Sequence, residues 1–264
     1  MDATMSETSA ALIKTVRSGV VNLILERNGE RIASATGFLI DGYLVTASHV
    51  LREGMFETLV IRFDEDSSTN GIKLDRDFVL GKIRSESDKG AHNFAVLEIS
   101  EPEFEGHYRF KLGESENIQA GQQILFFEYP YDSPHLTSHV AYISAVFDEG
   151  TTRVLQLDGS VNPSNSGGPV IDVPSGRVIA IVTRAQTGLS GDFDDLIDAF
   201  SKNVAALENR TAIVQIGGID PVHGLKVTME SMRRLALNMR RSANVGIGYA
   251  NAIKHLSEAL HGQA

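Results

Sequence analysis

The sequence predicts an all-β protein built as two barrels, with helices confined to the two ends and to one late segment. Three observations carry this. Short apolar runs alternate with turn signals through the first two thirds of the chain. A polar stretch at 100–120 divides those runs into two series of similar size. Helical spacing of apolar residues becomes sustained only after Arg184.

Ser6 or Thr8 caps a first helix over 6–17, with Ala11, Leu12 and Val16 on one side. Val20 to Leu25 reads as a strand, and Asn28-Gly29 is the dipeptide of a tight hairpin. The return strand runs from Arg31 into Phe38-Leu39-Ile40, and Asp41-Gly42 turns it into Tyr43-Leu44-Val45-Thr46. Strands at 58–63, 78–84 and 94–99 bring the first series to six, enough for a small closed barrel. The second series comprises 123–128, 139–147, 152–158, 168–173 and 177–183, with Pro174-Ser175-Gly176 as one of its turns.

Beyond Arg184, Phe193, Leu196, Ile197, Phe200, Val204 and Leu207 mark a helix over 192–208. Val222 to Val227 is ambiguous. Thr228 then caps a helix to about Arg241, whose Met229, Met232, Leu235, Ala236 and Met239 read as core packing. Val245 to Ala250 is a last strand, and Ile253, Leu256 and Leu260 dock a final helix over about 251–261. The expected domains are therefore 1–110, the first barrel, and 111–264, the second barrel with a helical insertion at about 185–244.

Composition excludes several functions. A formal net charge of -10, from 34 acidic and 24 basic side chains, repels polyanions on average, while Arg233, Arg234, Arg240 and Arg241 leave room for a local basic patch. No nucleic-acid partner is expected. With no cysteine there is no thiol nucleophile, disulfide or thiolate metal site. His135 and His139 are four apart, but Pro134 argues against a metal-binding helix, and there is no HExxH. The glycines form no phosphate-loop or dinucleotide fingerprint, so neither a metal nor another cofactor is expected. No run reaches membrane-spanning length, and no membrane partner is expected. The N-terminal MDATMSETSA lacks the layout of a secretory signal, which makes cytoplasmic the expected location unless a signal peptide has already been removed.

Two motifs carry chemistry. Thr46-Ala47-Ser48-His49-Val50 follows a strand, so a rigid backbone would hold the His49 ring at the strand exit. Asn165-Ser166-Gly167-Gly168-Pro169 offers a hydroxyl beside two glycines, which permit a tight bend and close approach of another backbone. Each alone has a bland reading, as a structural histidine or a plain turn. Together they supply what a serine needs to become a nucleophile, namely a base for its proton.

With these residues the chain resembles the trypsin-like serine protease superfamily, most closely its HtrA/Deg branch. The matching pieces are Thr36-Gly37-Phe38-Leu39-Ile40, Tyr43 through Val50, Asn93-Phe94-Ala95-Val96-Leu97, Asn162 through Val170, Val178-Ile179-Ala180-Ile181 and Gly246-Ile247-Gly248-Tyr249-Ala250. The resemblance spans roughly 16–256 and implies a chymotrypsin-like double barrel. It implies that His49 deprotonates Ser166 for attack on a peptide carbonyl, with the backbone N–H groups of Ser164 and Ser166 receiving the oxyanion. The family usually has glycine where Ser164 stands. The substrate pocket is expected near Ser160, from Ile181-Val182-Thr183 and Gly246-Ile247-Gly248; lacking a basal carboxylate, it should favour small or medium apolar side chains.

Asn93 is the departure. The resemblance places an aspartate there, orienting His49 and stabilising its cation. Asparagine can accept a hydrogen bond through its oxygen but supplies no charge, and it can also present its NH₂ group and favour the wrong imidazole tautomer; the exchange costs about 10⁴ in kcat in the serine-protease triad. Three readings stay open: a substitution that traps substrate, a natural weak or inactive variant, or a bystander whose place is taken by Asp88. The function read from the chain is a serine endopeptidase acting through an acyl-enzyme. The alternatives are an inactive peptide-binding protein and a structural scaffold. Protein or peptide substrates are the expected partners, and the 185–244 insertion offers bracing, a homo-oligomer contact or a regulatory partner site.

Overall fold

The computed structural model describes residues 2–52, 55–64, 71–99, 102–130, 135–162, 164–187, 190–208, 220–242 and 244–261. Two compact units result, one of residues 1–185 with 246–264, the other of residues 186–245.

The larger unit opens with helix α1 (Asp2–Val16), which leads through a short 3₁₀ turn into β1 (Val20–Arg27). Then follow β2 (Glu30–Ile40), β3 (Tyr43–Thr46), a single-turn helix α2 (Ser48–Arg52), β4 (Thr58–Phe63), β5 (Ile72–Asp75), α3 (Arg76–Gly81), β6 (Ile83–Ser87) and β7 (Phe94–Glu98). These strands make one antiparallel sheet in the order β5-β4-β1-β2-β3-β7-β6. The expected six-stranded closed barrel is corrected in two respects. The sheet has seven strands, and no ladder joins β5 to β6 among the described residues. The run at 78–84 is divided between α3 and β6, because the chain turns in a helix after β5 and inserts only Val79 of that helix into the core.

The second sheet is a closed barrel, β10-β13-β12-β11-β8-β9. Its strands are β8 (Gln123–Glu128), β9 (Thr137–Glu149), β10 (Thr152–Asp158), β11 (Pro169–Asp172), β12 (Arg177–Thr187) and β13 (Asn244–Ala252), with α6 (Lys254–His261) closing the chain. The architecture is thus mostly β, of the chymotrypsin double-barrel type.

Apolar side chains divide by strand parity. Along β2, Ala35 and Leu39 point into the first barrel while Phe38 and Ile40 join a cluster shared by both barrels. Along β8, Ile124 and Phe126 fill the second barrel, whereas Leu125 and Phe127 join the shared cluster. Leu12 and Ile13 of α1 and Leu256 of α6 pack there too. A strand buried on both faces reads as a continuous apolar run, which explains Phe38-Leu39-Ile40 and Ile124-Leu125-Phe126-Phe127. A register slip of one residue would exchange the two cores, so pairing is strongly fixed.

The smaller unit holds α4 (Ser190–Glu208) and α5 (Pro221–Ser242), which pack on each other. The ambiguous segment 222–227 is helical. Asp220 caps it by accepting the N–H groups of Val222 and His223, each at 3.0 Å, and Pro221 takes the first position, where a missing N–H costs nothing. The expected apolar stripe is also corrected. Ala236 is buried and Met229 half-buried, but Met232, Leu235 and Met239 are exposed, on a face that α4 leaves uncovered.

Candidate active site

Ser166 sits in a turn that β2 of the first barrel grips through Thr36. The Thr36 N–H donates to the Ser166 carbonyl at 3.0 Å, and its hydroxyl donates to the Ser164 carbonyl at 2.9 Å. That same hydroxyl accepts the Tyr129 N–H at 3.3 Å, while the Thr36 carbonyl accepts the Thr46 hydroxyl at 2.9 Å. Ser34 Oγ meets Ser164 Oγ at 3.1 Å. Gly167 has φ +90°, and a Cβ there would fall 2.2 Å from both the Thr36 carbonyl oxygen and Thr46 Oγ1. Only glycine allows the turn to lie this close to the strand that leads into His49. Gly168 meets a similar limit, 2.4 Å from the Phe127 carbonyl oxygen.

Val45-Thr46 ends β3, and His49 follows three residues later in α2, half-buried. Asn93 lies at the end of the β6–β7 loop with 4% exposure and φ +54°, a left-handed conformation asparagine tolerates. Its Oδ1 is 3.0 Å from His49 Nδ1, 3.2 Å from the His49 backbone nitrogen and 3.1 Å from Ser48 Oγ. The backbone N–H is a donor under all conditions, so the amide must present oxygen there. That orientation makes His49 Nδ1 a donor and leaves Nε2 the basic nitrogen. Of the two orientations open to the Asn93 amide, the oxygen is the one that faces His49. The Asp88 alternative fares otherwise: Asp88 is exposed and serves the loop through its carbonyl, which accepts the N–H groups of Ala91 and Asn93.

Of the segments expected to form a pocket, 181–183 borders the serine turn and 246–248 borders 158–161. Gly167 N–H donates to the Val182 carbonyl at 2.8 Å, and Val182 N–H donates to the Gly168 carbonyl at 2.9 Å. Gly159 N–H donates to the Gly246 carbonyl at 3.0 Å, Ile247 pairs with Asp158, and Gly248 leaves no room for a Cβ beside Val161. Ser160 is exposed, and the Thr183 hydroxyl reaches the Tyr249 carbonyl at 3.4 Å. Ile181 and Val182 are a correction: both side chains lie in apolar cores, so only their backbone can line a pocket.

Residues that the sequence did not single out also hold this region. Glu128, 1% exposed, accepts from Asn162 Nδ2 at 3.3 Å and contacts His139 Nε2 at 2.7 Å, anchoring the segment that precedes the serine turn. Nothing in the run Ile124 to Glu128 announces this, beyond an acid ending an apolar strand. Burial pushes the Tyr129 phenol up, and its hydroxyl donates to the Val20 carbonyl at 3.3 Å. Among the described residues no cluster of histidine and carboxylate side chains is arranged to hold a metal, and no helix is long and apolar enough to cross a membrane.

Residues 35–181 match the family described as the trypsin-like peptidase domain. The chain belongs to that family. Among trypsin-like peptidases of the HtrA type it is similar to the probable periplasmic serine endoprotease DegP-like of Pseudomonas fulva, 27% identical over 185 residues that make up 68% of this chain and 34% of that protein. The protein of the same description from Halomonas elongata is 31% identical over 169 residues, 61% of this chain and 31% of that one. The chain thus spans about a third of the length of these relatives. They are named periplasmic, which gives the cytoplasmic expectation no support. The fold is that of the HtrA-type protease AlgW with tripeptide, at TM-score 0.56 and 19% identity over 96% of this chain and 64% of that one. Deg5 matches at TM-score 0.54 and 21% identity, over 70% of this chain and 87% of Deg5.

Proposed function

We propose that the chain is a serine endopeptidase, with Ser166 as nucleophile, His49 as general base and Asn93 as the uncharged partner that orients His49. The observation that carries this is the single oxygen of Asn93 accepting both from the His49 backbone and from its Nδ1. In that arrangement Nε2 takes the Ser166 proton as the hydroxyl attacks a peptide carbonyl, and returns it to the leaving amine. Water then attacks the acyl-enzyme with His49 again as base. The N–H groups of Ser164 and Ser166 receive the oxyanion, and the Thr36 bonds to both carbonyls of this turn support its rigidity.

The pocket segments 159–161, 181–183 and 246–248 offer backbone and small side chains with no carboxylate among them, which favours small or medium apolar residues at the cut site. A homo-oligomer or regulatory contact through the 185–244 insertion belongs to the same proposal and is read out by the mass of the chain in solution with and without it. The second reading, peptide binding without turnover, rests on the missing charge at Asn93. A fluorophosphonate probe decides between them. Labelling at Ser166 with measurable peptide hydrolysis supports the enzyme, whereas no reaction by the chain or by its Asn93→Asp form removes it.

A further inference from the structure

Asn93 ends a loop of the first barrel, yet two of the groups that hold the backbone leading into it come from the second. The peptide unit joining His92 to Asn93 is held at both ends: the Asp88 carbonyl accepts the Asn93 N–H at 2.9 Å, and Asn251 Nδ2 of β13 donates to the His92 carbonyl at 3.0 Å. The preceding peptide unit is held as well, because the Thr152 hydroxyl of β10 donates to the Ala91 carbonyl at 3.1 Å. A hydroxyl has one proton to give, so Thr152 Oγ1 accepts from His92 Nδ1, 2.7 Å away. The His92 ring then stacks on His255 of α6, with centroids 3.5 Å apart and planes 18° from parallel. Thr152 and Asn251 are 5% and 7% exposed, and the Thr183 hydroxyl, whose one proton is shared between the Tyr249 carbonyl and Asn251 Oδ1, lies 3.4 Å from each.

The placement of these donors is specific. Holding two successive peptide planes fixes φ and ψ of His92 and with them the place of the Asn93 N–Cα bond, from which Oδ1 reaches three donors. We infer that Thr152 and Asn251 are positioning residues for the His49–Asn93 pair, a clamp by which the barrel carrying the nucleophile sets the geometry of the barrel carrying the base. The inference rests on the proposed catalytic reading and extends it to two strands with no side chain in the reaction.

The test uses the full chain and its Asn93→Asp form. Thr152→Val removes the hydroxyl at nearly constant shape, Asn251→Asp replaces a donor by an acceptor facing the His92 carbonyl, and Thr152→Ser restores the hydroxyl. Two quantities are read: the NMR resonance of the His49 Nδ1 proton and the rate of fluorophosphonate labelling at Ser166. Both Thr152→Val and Asn251→Asp should move the resonance and slow labelling roughly tenfold, the size of one lost buried hydrogen bond. Thr152→Ser should stay close to the unsubstituted chain in both. An unchanged His49 resonance in both disabling variants overturns the clamp, whatever the labelling rate. Failure of the protease reading is a separate result: it would leave all forms unlabelled while the resonance still reports on the loop.

Discussion

Asn93→Asp restores a negative charge to an atom 3.0 Å from His49 Nδ1 while leaving side-chain shape unchanged. Aspartate tolerates the φ of +54° nearly as well as asparagine, so little backbone strain is added. In the proposed reaction the imidazolium of the transition state then meets a full charge instead of an amide dipole. At that separation Coulomb attraction is about 5.5 kcal/mol at an effective dielectric of 20 and about 1.4 kcal/mol in bulk water. Asn93 is 4% exposed but His49 is half-buried, so the site lies between those limits. Part of the gain is offset by desolvating the carboxylate and by the attraction the amide oxygen already supplies. A net of roughly 3 kcal/mol corresponds to about 10²-fold in kcat. This is well below the ~10⁴ lost when the same exchange also inverts the tautomer, because here the His49 N–H already holds the amide oxygen inward. Peptide hydrolysis by both forms, with Ser166 titrated by a fluorophosphonate, measures the ratio. A gain of 10⁴ or more would refute the tautomer argument. No gain, with Ser166 still reactive, would refute the placement of residue 93 behind the imidazole.

Three further outcomes are expected. Thr36→Val removes the hydroxyl that joins the Ser164 carbonyl to the Tyr129 N–H, and should cost about 1–3 kcal/mol in chemical denaturation, with most of it recovered by Thr36→Ser. Gly167→Ala forces a side chain into φ +90° and against the Thr36 carbonyl; about 2–5 kcal/mol should be lost, and a variant as stable as the parent would show that the serine turn does not lie against β2. Burial, then the neighbouring His255, hold the His92 imidazole below its ordinary value, against opposing pulls from Glu258 and Asp88. The unfolded chain therefore takes up this proton first, so the stability is full above about pH 6.5 and declines as pH falls toward the folded-state value. Unfolding midpoints between about pH 5 and pH 8 should show that slope in the parent and a shallower one in His92→Gln.

Strand identity was legible where local pattern and tertiary demand agree. β8 and β10 fall at 123–128 and 152–158 as expected, β8 with apolar residues on consecutive positions that serve two cores and β10 with Leu155 and Leu157 alternating into the second barrel. The run at 78–84 misled because Phe78, Val79 and Leu80 suit a strand or one helical turn equally, and burial of Val79 alone decided the matter. The start of α5 was missed although its signal is present: Asp220 before Pro221 is a cap followed by the residue best tolerated at a first helical position. Met232, Leu235 and Met239 misled for another reason, since helical periodicity marks an apolar face without stating what covers it. In the candidate site, His49 and Ser166 stood out by their local surroundings, and Asn93 and Ser164 through the resemblance those two carry. Thr152 and Asn251 did not, because their meaning lies in carbonyls more than fifty residues away in sequence, and no spacing rule reaches across two sheets.

The division of labour at the seam follows from the kinds of force involved. Phe38, Val45, Phe127 and Ile181 bring the barrels together through apolar contact, which has little directionality and tolerates small sliding. Sliding of half an ångström would be harmless to that core and ruinous to a proton transfer that needs heavy atoms about 3 Å apart. Fixing the slide falls to the hydrogen bonds that cross the seam: Thr36 to Ser164 and Ser166, Tyr129 to Thr36, Thr152 to Ala91, Asn251 to His92. Each fails steeply with angle and distance, so together they convert a loose apolar contact into one register. Apolar replacement at these positions should therefore separate stability from reactivity. Thr152→Val can regain in packing much of what it loses in bonding and stay folded, whereas His49 and Asn93 have no second means of recovering their alignment.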